Sequence, residues 1–330
     1  MSGWKDKKVL VTGAGGFIGS HLTERLLSLG SRVRAFVEYN PQGDAGHINH
    51  LVAGKNKRLE VFYGDIKEME TVKKAVRGVQ IIFNLAALVG IPYSYEHPQE
   101  VVDTNVLGTL NVLIVARDEK VKKIIQTSTS EVYGTARYVP IDEKHPLQPQ
   151  SPYSASKIAA DALAKSFYCS FGLPVAIIRP FNCFGPRQSL RAVIPTIISQ
   201  ALKNRIICLG NTAPRRDFTY VSDTVEGFIK IAQSPKSIGE IINIGTSRDV
   251  SIGELAKIIA RLIGKDVKIK QEKMRKRPKK SEVKCLCADN KKAKRLLGWK
   301  PQIGLEEGLK RTIEYIRLHE EYYNREGYVI

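Results

Sequence analysis

The sequence predicts an α/β protein: a doubly wound parallel sheet followed by a smaller, mixed α/β substrate-binding domain. Three observations lead there. Short apolar runs alternate with helix-length amphipathic segments from Lys8 to Ile178. A glycine-rich turn joins the first run to the first amphipathic segment. Beyond Arg187 the alternation gives way to short pieces punctuated by glycine, proline and arginine. We therefore expect one domain over 1–179, with a return segment near 217–245, and a second that is mainly 180–330.

The first strand is Lys8-Val9-Leu10-Val11-Thr12. Gly13-Ala14-Gly15-Gly16-Phe17-Ile18-Gly19 follows, then an amphipathic stretch from Ser20 to Leu29. Glycines permit the tight turn and bring backbone N–H groups to a pyrophosphate at the positive end of a helix, so Gly13, Gly16, Phe17, Ile18 and Gly19 are expected cofactor contacts. A second strand, Arg32 to Val37, leads into Glu38. A carboxylate there accepts bonds from ribose hydroxyls, whereas a 2′-phosphate calls for arginine, which favours NAD while leaving NADP open.

The third strand, Leu59 to Tyr63, precedes Gly64-Asp65-Ile66, with Asp65 placed for the adenine amine and Ile66 for its ring. The fourth, Val79 to Phe83, precedes Asn84-Leu85-Ala86-Ala87, where Leu85, Ala86 and Ala87 are small enough in sum to let a cofactor approach the backbone. A long helix is expected over Glu100 to Glu119, with Asn105 either a buried structural amide or a group at the cofactor site.

The stretch from Thr127 to Lys157 organises the chain. The fifth strand begins near Lys122 and ends at Thr129, placing Thr129, Ser130 and Glu131 at the sheet edge where open α/β sheets bind ligands. Downstream, Ser151 reads as an N-cap and Pro152 as a first helical residue, so Tyr153 and Lys157 fall one turn apart on one helix face. A tyrosine is a poor base at neutral pH unless an adjacent ammonium favours its phenolate, and Lys157 is placed to supply that charge.

A sixth strand, Val175 to Ile178, completes the alternation. In the second domain Asn182, Arg187, Arg191, Arg216 and Arg277 are the polar candidates for a substrate, with Ser94 added from the first; arginine grips a diphosphate bidentately. Helices at Ile252 to Ile263, Asn290 to Leu297 and Leu305 to Tyr322 close it.

Composition bounds the partners. At 43% hydrophobic and 26% charged residues the chain is an ordinary globular protein, and no apolar span is long enough for a membrane helix. With no signal peptide at Met1-Ser2-Gly3-Trp4, a cytoplasmic location is expected. Five scattered cysteines fit no metal-site spacing, so no metal is expected. The net charge of +19 is concentrated through Lys265, Lys268, Lys270, Lys273, Arg275, Lys276, Arg277, Lys279 and Lys280. Without interleaved aromatics or a nucleic-acid module, that stretch reads as a solvated face and no nucleic-acid partner is expected.

The assembled motifs resemble the extended short-chain dehydrogenase/reductase family of nucleotide-sugar enzymes. They are Thr-Gly-Ala-Gly-Gly-Phe-Ile-Gly at 12–19, Gly-Asp-Ile at 64–66, Tyr-Ser-Ala-Ser-Lys at 153–157, Arg-Pro-Phe-Asn at 179–182 and Arg-Asp-Phe-Thr-Tyr-Val at 216–221. The resemblance implies a Rossmann-type fold, bound NAD(P), a nucleoside-diphosphate sugar between the domains and a homodimer. Thr129-Ser130-Glu131 looks like the signature of 4,6-dehydratases, most similar to those acting on nucleotide-linked N-acetylglucosamine in legionaminate-type pathways. Many glucose-type dehydratases carry aspartate where this chain has Ser130.

The resemblance thus implies a UDP-N-acetylglucosamine 4,6-dehydratase. Tyr153, with Lys157 and Thr129, takes the C4 hydroxyl proton during oxidation at C4; Glu131 removes the C5 proton; water leaves from C6, assisted by Glu131 or through Ser130. A nucleotide-sugar 4-epimerase of the UDP-glucose or UDP-N-acetylglucosamine type is the first alternative, since it needs no base at C5. A UDP-glucuronate decarboxylase is the second, and a dinucleotide-sensing protein without turnover the third.

Overall fold

The computed structural model describes residues 3–324. Its main sheet contains β1 (Lys8–Thr12), β2 (Arg32–Glu38), β3 (Leu59–Gly64), β4 (Ile81–Asn84), β5 (Lys123–Thr127) and β6 (Val175–Pro180), and a seventh strand, Ile241–Ile244, returns from the second half of the chain. The order is β3-β2-β1-β4-β5-β6 and then Ile241–Ile244, with every pairing parallel. The strand order reverses between β1 and β4, and a crevice forms outside the carboxyl ends of such a pair.

Parallel strands covered on both faces must be apolar almost throughout, which explains runs such as Val9-Leu10-Val11 and Ile81-Ile82-Phe83. One face carries Val9, Val11, Val33 and Ile125 against α1 (Phe17–Ser28) and the helix Val221–Gln233. The other carries Leu10, Phe36, Ile82 and Ile124 against the helices Met69–Val76, Gly108–Asp118 and Pro152–Phe171. The first of these cores runs on into the second half, through Ile197, Ile198, Leu255, Ile259 and Ile313 of the helices Val193–Lys203, Ile252–Ile263 and Leu305–Leu318.

Beyond shifts of one or two residues at strand ends, four elements differ from the sequence expectation. The helix after the glycines starts at Phe17 rather than Ser20, with extended Gly16 as its N-cap. β5 ends at Thr127, after which Thr129 caps a short 3₁₀ turn, Ser130–Tyr133. The helix expected to run on to Tyr322 is interrupted at His319. The long helix expected over Glu100 to Glu119 is three pieces: Pro98–Val102, a π-helical turn at Asp103–Leu107, and Gly108–Asp118. The wider turn lets Asn105 bury its amide, and Gly108 lies so close to Ile66 that a Cβ would fall 2.6 Å from Ile66 Cγ2. Among the described residues no helix is long and apolar enough to cross a membrane.

Candidate active site

The crevice at the end of β1 is shaped by glycine. Gly13 has φ +68°, and a Cβ on it would lie 3.1 Å from the backbone of Ala86; one on Gly19 would lie 2.1 Å from Gly13 O. Gly16 supplies the N-cap of α1 without any side-chain bond, so the first-turn N–H groups point outward at the positive helix end. The opposite wall is held by Thr12, which sequence reasoning passed over. Its Oγ1 accepts from Leu85 N at 2.9 Å and Ala86 N at 3.0 Å and donates to Asn84 Oδ1 at 2.8 Å, while Asn84 Nδ2 donates to Gln126 Oε1 at 2.8 Å. A threonine closing a buried strand just before the glycines was the available signal.

Glu38 ends β2 exposed, paired in register with Gly64. Asp65 accepts from Lys67 N at 2.8 Å and is ion-paired to Lys67 Nζ at 3.4 Å; Ile66 is buried beside it. An uncapped helix N-terminus, a glycine-lined floor and acidic residues at the ends of β2 and β3 fit a dinucleotide. Of the two readings of Asn105 the structure takes the buried structural amide, and for Ser94 it departs from the expectation. Asn105 is fully buried and its amide is committed to the protein: Oδ1 accepts from Leu88 N at 2.8 Å, and Nδ2 donates to Leu88 O at 3.0 Å and Ser156 Oγ at 2.9 Å. It braces the cofactor wall against the helix Pro152–Phe171 instead of reaching a ligand. Ser94 is likewise enclosed, its hydroxyl donated to Ile91 O at 2.7 Å within its own helix, so it does not present itself to substrate.

The proton-transfer groups meet at the end of β5. Ser151 and Ser154 form a reciprocal capping box that starts the helix Pro152–Phe171 and sets the rotation of Tyr153 and Lys157, both buried. Thr129 Oγ1 accepts from Glu131 N at 3.2 Å, which leaves its own proton free for the Tyr153 oxygen it is hydrogen-bonded to. Burial pushes the Tyr153 phenol up, the Thr129 bond opposes this, and the Glu131 and Asp161 carboxylates push it further up. Burial brings Lys157 down to about 8, with Asp161 pulling the other way. Burial dominates at Tyr153, and the charges that shift it further are the Glu131 and Asp161 carboxylates.

Facing these groups, Arg216 is 6% exposed, donates Nη1 to Arg215 O at 2.9 Å and takes part in no ion pair among the described residues. Burial lowers its pKa, Glu131 raises it and Arg277 lowers it, so the three side chains share one neighbourhood. Arg277 Nη1 and Asn182 Oδ1 are buried without partners. An unpaired buried donor, Arg277 Nη1, beside a second cation suits a polyanion. Arg191 is exposed, near Gly90. Arg187 departs from the substrate expectation: Nη2 donates to Glu24 Oε1 at 2.7 Å and Nη1 to Ser20 Oγ at 3.2 Å, tying the second half of the chain to α1. Among the described residues no group of three or more His, Cys, Asp or Glu is arranged to hold a metal ion.

Comparison with known proteins is consistent across the chain. The family model for GDP-mannose 4,6 dehydratase matches residues 10–312. A putative UDP-glucose 4-epimerase of Methanocaldococcus jannaschii is 35% identical over 94% of this chain and 98% of its own length. The dTDP-D-glucose 4,6-dehydratase of Mus musculus is 34% identical over 94% of this chain and 89% of its own. The structure of DesIV, a dTDP-glucose 4,6-dehydratase from Streptomyces venezuelae solved with NAD and TYD bound, superimposes with a TM-score of 0.88 at 29% identity, covering 96% of this chain and 99% of that one. The chain belongs to the extended short-chain dehydrogenase/reductase family of nucleotide-sugar 4,6-dehydratases and 4-epimerases.

Proposed function

We propose that the protein is a nucleotide-sugar 4,6-dehydratase using NAD, with UDP-N-acetylglucosamine as substrate. The observation that carries this reading is Glu131: a largely buried carboxylate in the turn that positions Thr129, electrostatically coupled to both Tyr153 and Arg216. An epimerase has no need of a base there. NAD, when bound, accepts a hydride from C4 and returns it at C6.

Gly13, Gly16, Phe17, Ile18 and Gly19 hold its pyrophosphate, Glu38 its ribose, Asp65 and Ile66 its adenine, and Leu85, Ala86 and Ala87 flank it. Arg216, Arg277, Asn182 and Arg191 take the nucleotide-sugar diphosphate side. Tyr153, as phenolate stabilised by the Thr129 proton and the Lys157 ammonium, takes the C4 hydroxyl proton as the ketone forms. Glu131 removes the C5 proton, now acidified by that ketone, the C6–O bond breaks as the oxygen is protonated to water by Glu131 or through Ser130, and a proton is returned to C5 as the hydride returns to C6.

4-Epimerisation is the second reading, supported by the named activity of the Methanocaldococcus relative. Incubation with UDP-N-acetylglucosamine in deuterated water separates the two by product mass and proton NMR. Loss of one water, a new C6 methyl signal and deuterium at C5 are expected. Unchanged mass with C4 inverted and C5 unlabelled overturns the proposal.

A further inference from the structure

The buried face of the helix Pro152–Phe171 carries a carboxylate that the proton-transfer chemistry leaves unused. Asp161 follows Lys157 by one helical turn on the same face, and both are 3% exposed. Its Oδ2 accepts three bonds: Ser128 Oγ at 2.7 Å, Arg179 Nε at 3.1 Å and Arg179 Nη2 at 2.9 Å. Arg179 Nη1 in turn donates to Tyr133 Oη at 3.0 Å, and Tyr133 donates to Asn243 Oδ1 at 2.8 Å. Asp161 is therefore anchored by residues from the end of β5, from β6, from the 3₁₀ turn and from the returning strand.

The second oxygen is different. Asp161 Oδ1 is buried and has no hydrogen-bond partner among the described residues. Burial pushes the Asp161 carboxyl up, Arg179, Ser128 and Lys157 pull it down, and an oxygen left unbonded in the interior is costly unless something completes it. Lys157, equally buried, makes no hydrogen bond among the described residues, and the Asp161 carboxylate is the charge that opposes the effect of burial on it. The other charged or titratable groups around the pair are Arg179 on β6, Glu131 and Tyr133 in the 3₁₀ turn, and Tyr153 on the same helix. Arg179 is already paired with Asp161 at 2.9 Å, and Glu131 acts on Tyr153. The helices packed on the opposite side bring the neutral Asn105 to Ser156.

We propose that Asp161 is the positioning residue that keeps Lys157 cationic inside the protein: Oδ2 is locked by Ser128 and Arg179, and the unpaired Oδ1, one helical turn away and beyond ion-pair distance, leaves its negative charge to favour the Lys157 ammonium. This rests on the Tyr153–Lys157 proton pair assigned above, though not on which sugar reaction that pair serves. Replacing the carboxylate removes one negative charge from both members of the pair. The Lys157 ammonium loses its attraction and titrates lower; the Tyr153 phenol loses a repulsion and also titrates lower.

The test uses Asp161→Asn in the full chain, with lysine ¹³C-labelled at Cε and the Lys157 signal identified by its disappearance in Lys157→Arg. In ligand-free protein the Lys157 midpoint is expected to fall by about one to three pH units. With NAD and substrate, both limbs of the pH–rate profile move to lower pH, and Asp161→Glu restores both positions. An unmoved Lys157 midpoint, or a lower rate at every pH with the limbs in place, overturns the proposal and leaves a structural ion pair. If an unpaired Arg179 prevents Asp161→Asn from folding, Asp161→Asn/Arg179→Gln removes both charges. The Lys157 midpoint must then still fall, by less than in the single variant, because the Asp161 carboxylate acts on Lys157 more strongly than the Arg179 guanidinium bonded behind it. A shifted lysine in an enzyme that turns out to invert C4 leaves this inference standing while the dehydratase reading fails.

Discussion

Arg187 Nη2 donates to Glu24 Oε1 at 2.7 Å, joining the segment after β6 to the helix that opens the dinucleotide crevice. The same carboxylate oxygen faces His50 Nε2 at 2.7 Å. Arg187 also holds a left-handed backbone, φ +70°, rare for a residue with a Cβ. A side chain kept in that conformation and mostly buried against α1 is acting as a strap. Arg187→Met is expected to lower the free energy of unfolding by about 1.5–3 kcal/mol, the range for losing a hydrogen bond to a charged group. Urea unfolding measures this. The KM for the nucleotide sugar should not change; a raised KM with unchanged stability would return Arg187 to the substrate site.

Asn105 makes three bonds that hold Leu88 to the helix carrying Tyr153. Asn105→Ala leaves both backbone groups of Leu88 unpaired in a part-buried setting, and about 1–3 kcal/mol of stability should be lost. Because the amide reaches no ligand, NAD affinity measured by calorimetry should fall only as far as the wall at Leu85–Ala87 loosens. A complete loss of binding in a protein that unfolds normally would show a direct contact instead.

What was legible in the chain, and what was not, follows from the range of each signal. β1 and the helix Ile252–Ile263 have the limits read from sequence because strand hydrophobicity, the Ser251 cap and the left-handed Gly264 are all local. The Ser151 cap is local too, and it fixes which way Tyr153 faces. Asn105 was ambiguous because its direction depends on a π-helical turn, and nothing in Asp103-Thr104-Asn105 marks an extra residue in the helix. Arg187 and Ser94 were misplaced because their partners lie elsewhere: Glu24 for one, an enclosing core for the other. Asp161 drew no notice because a carboxylate in mid-helix ordinarily marks the solvent face, and its arginine arrives from β6.

Lys123 offers a pH test away from the site. Its ammonium is buried at the start of β5 and donates to Ile231 O at 2.6 Å, Ser234 O at 2.6 Å and Ser237 Oγ at 2.7 Å, closing the end of the helix Val221–Gln233 without any carboxylate. Burial lowers its pKa to about 8 from an ordinary 10.5. Between those values the unfolded chain binds more protons than the folded one, so this group makes stability rise with pH across that window. Lys123→Met removes the term together with three bonds. The stability difference, native minus variant, should therefore grow as pH rises from about 8 to about 10.5. A flat difference in paired urea titrations would mean the lysine stays charged throughout.

Glu131→Gln addresses the proposed chemistry most directly. The substitution keeps the side-chain shape and the backbone N–H that donates to Thr129 Oγ1 at 3.2 Å, so the Thr129–Tyr153 contact persists. It removes a negative charge that pushes the Tyr153 phenol up, so formation of the phenolate, and with it oxidation at C4, becomes easier. It also removes the group assigned to the C5 proton, a loss of roughly 10²–10⁴ in rate for a positioned acid–base residue. The two effects oppose each other only in a dehydratase. Elimination of water and deuterium uptake at C5 should collapse while substrate oxidised at C4 accumulates on the enzyme, detected by mass after quenching. If instead the variant turns over as fast as the native protein, Glu131 has no proton to move and the sugar's C5 is untouched, as in a 4-epimerase.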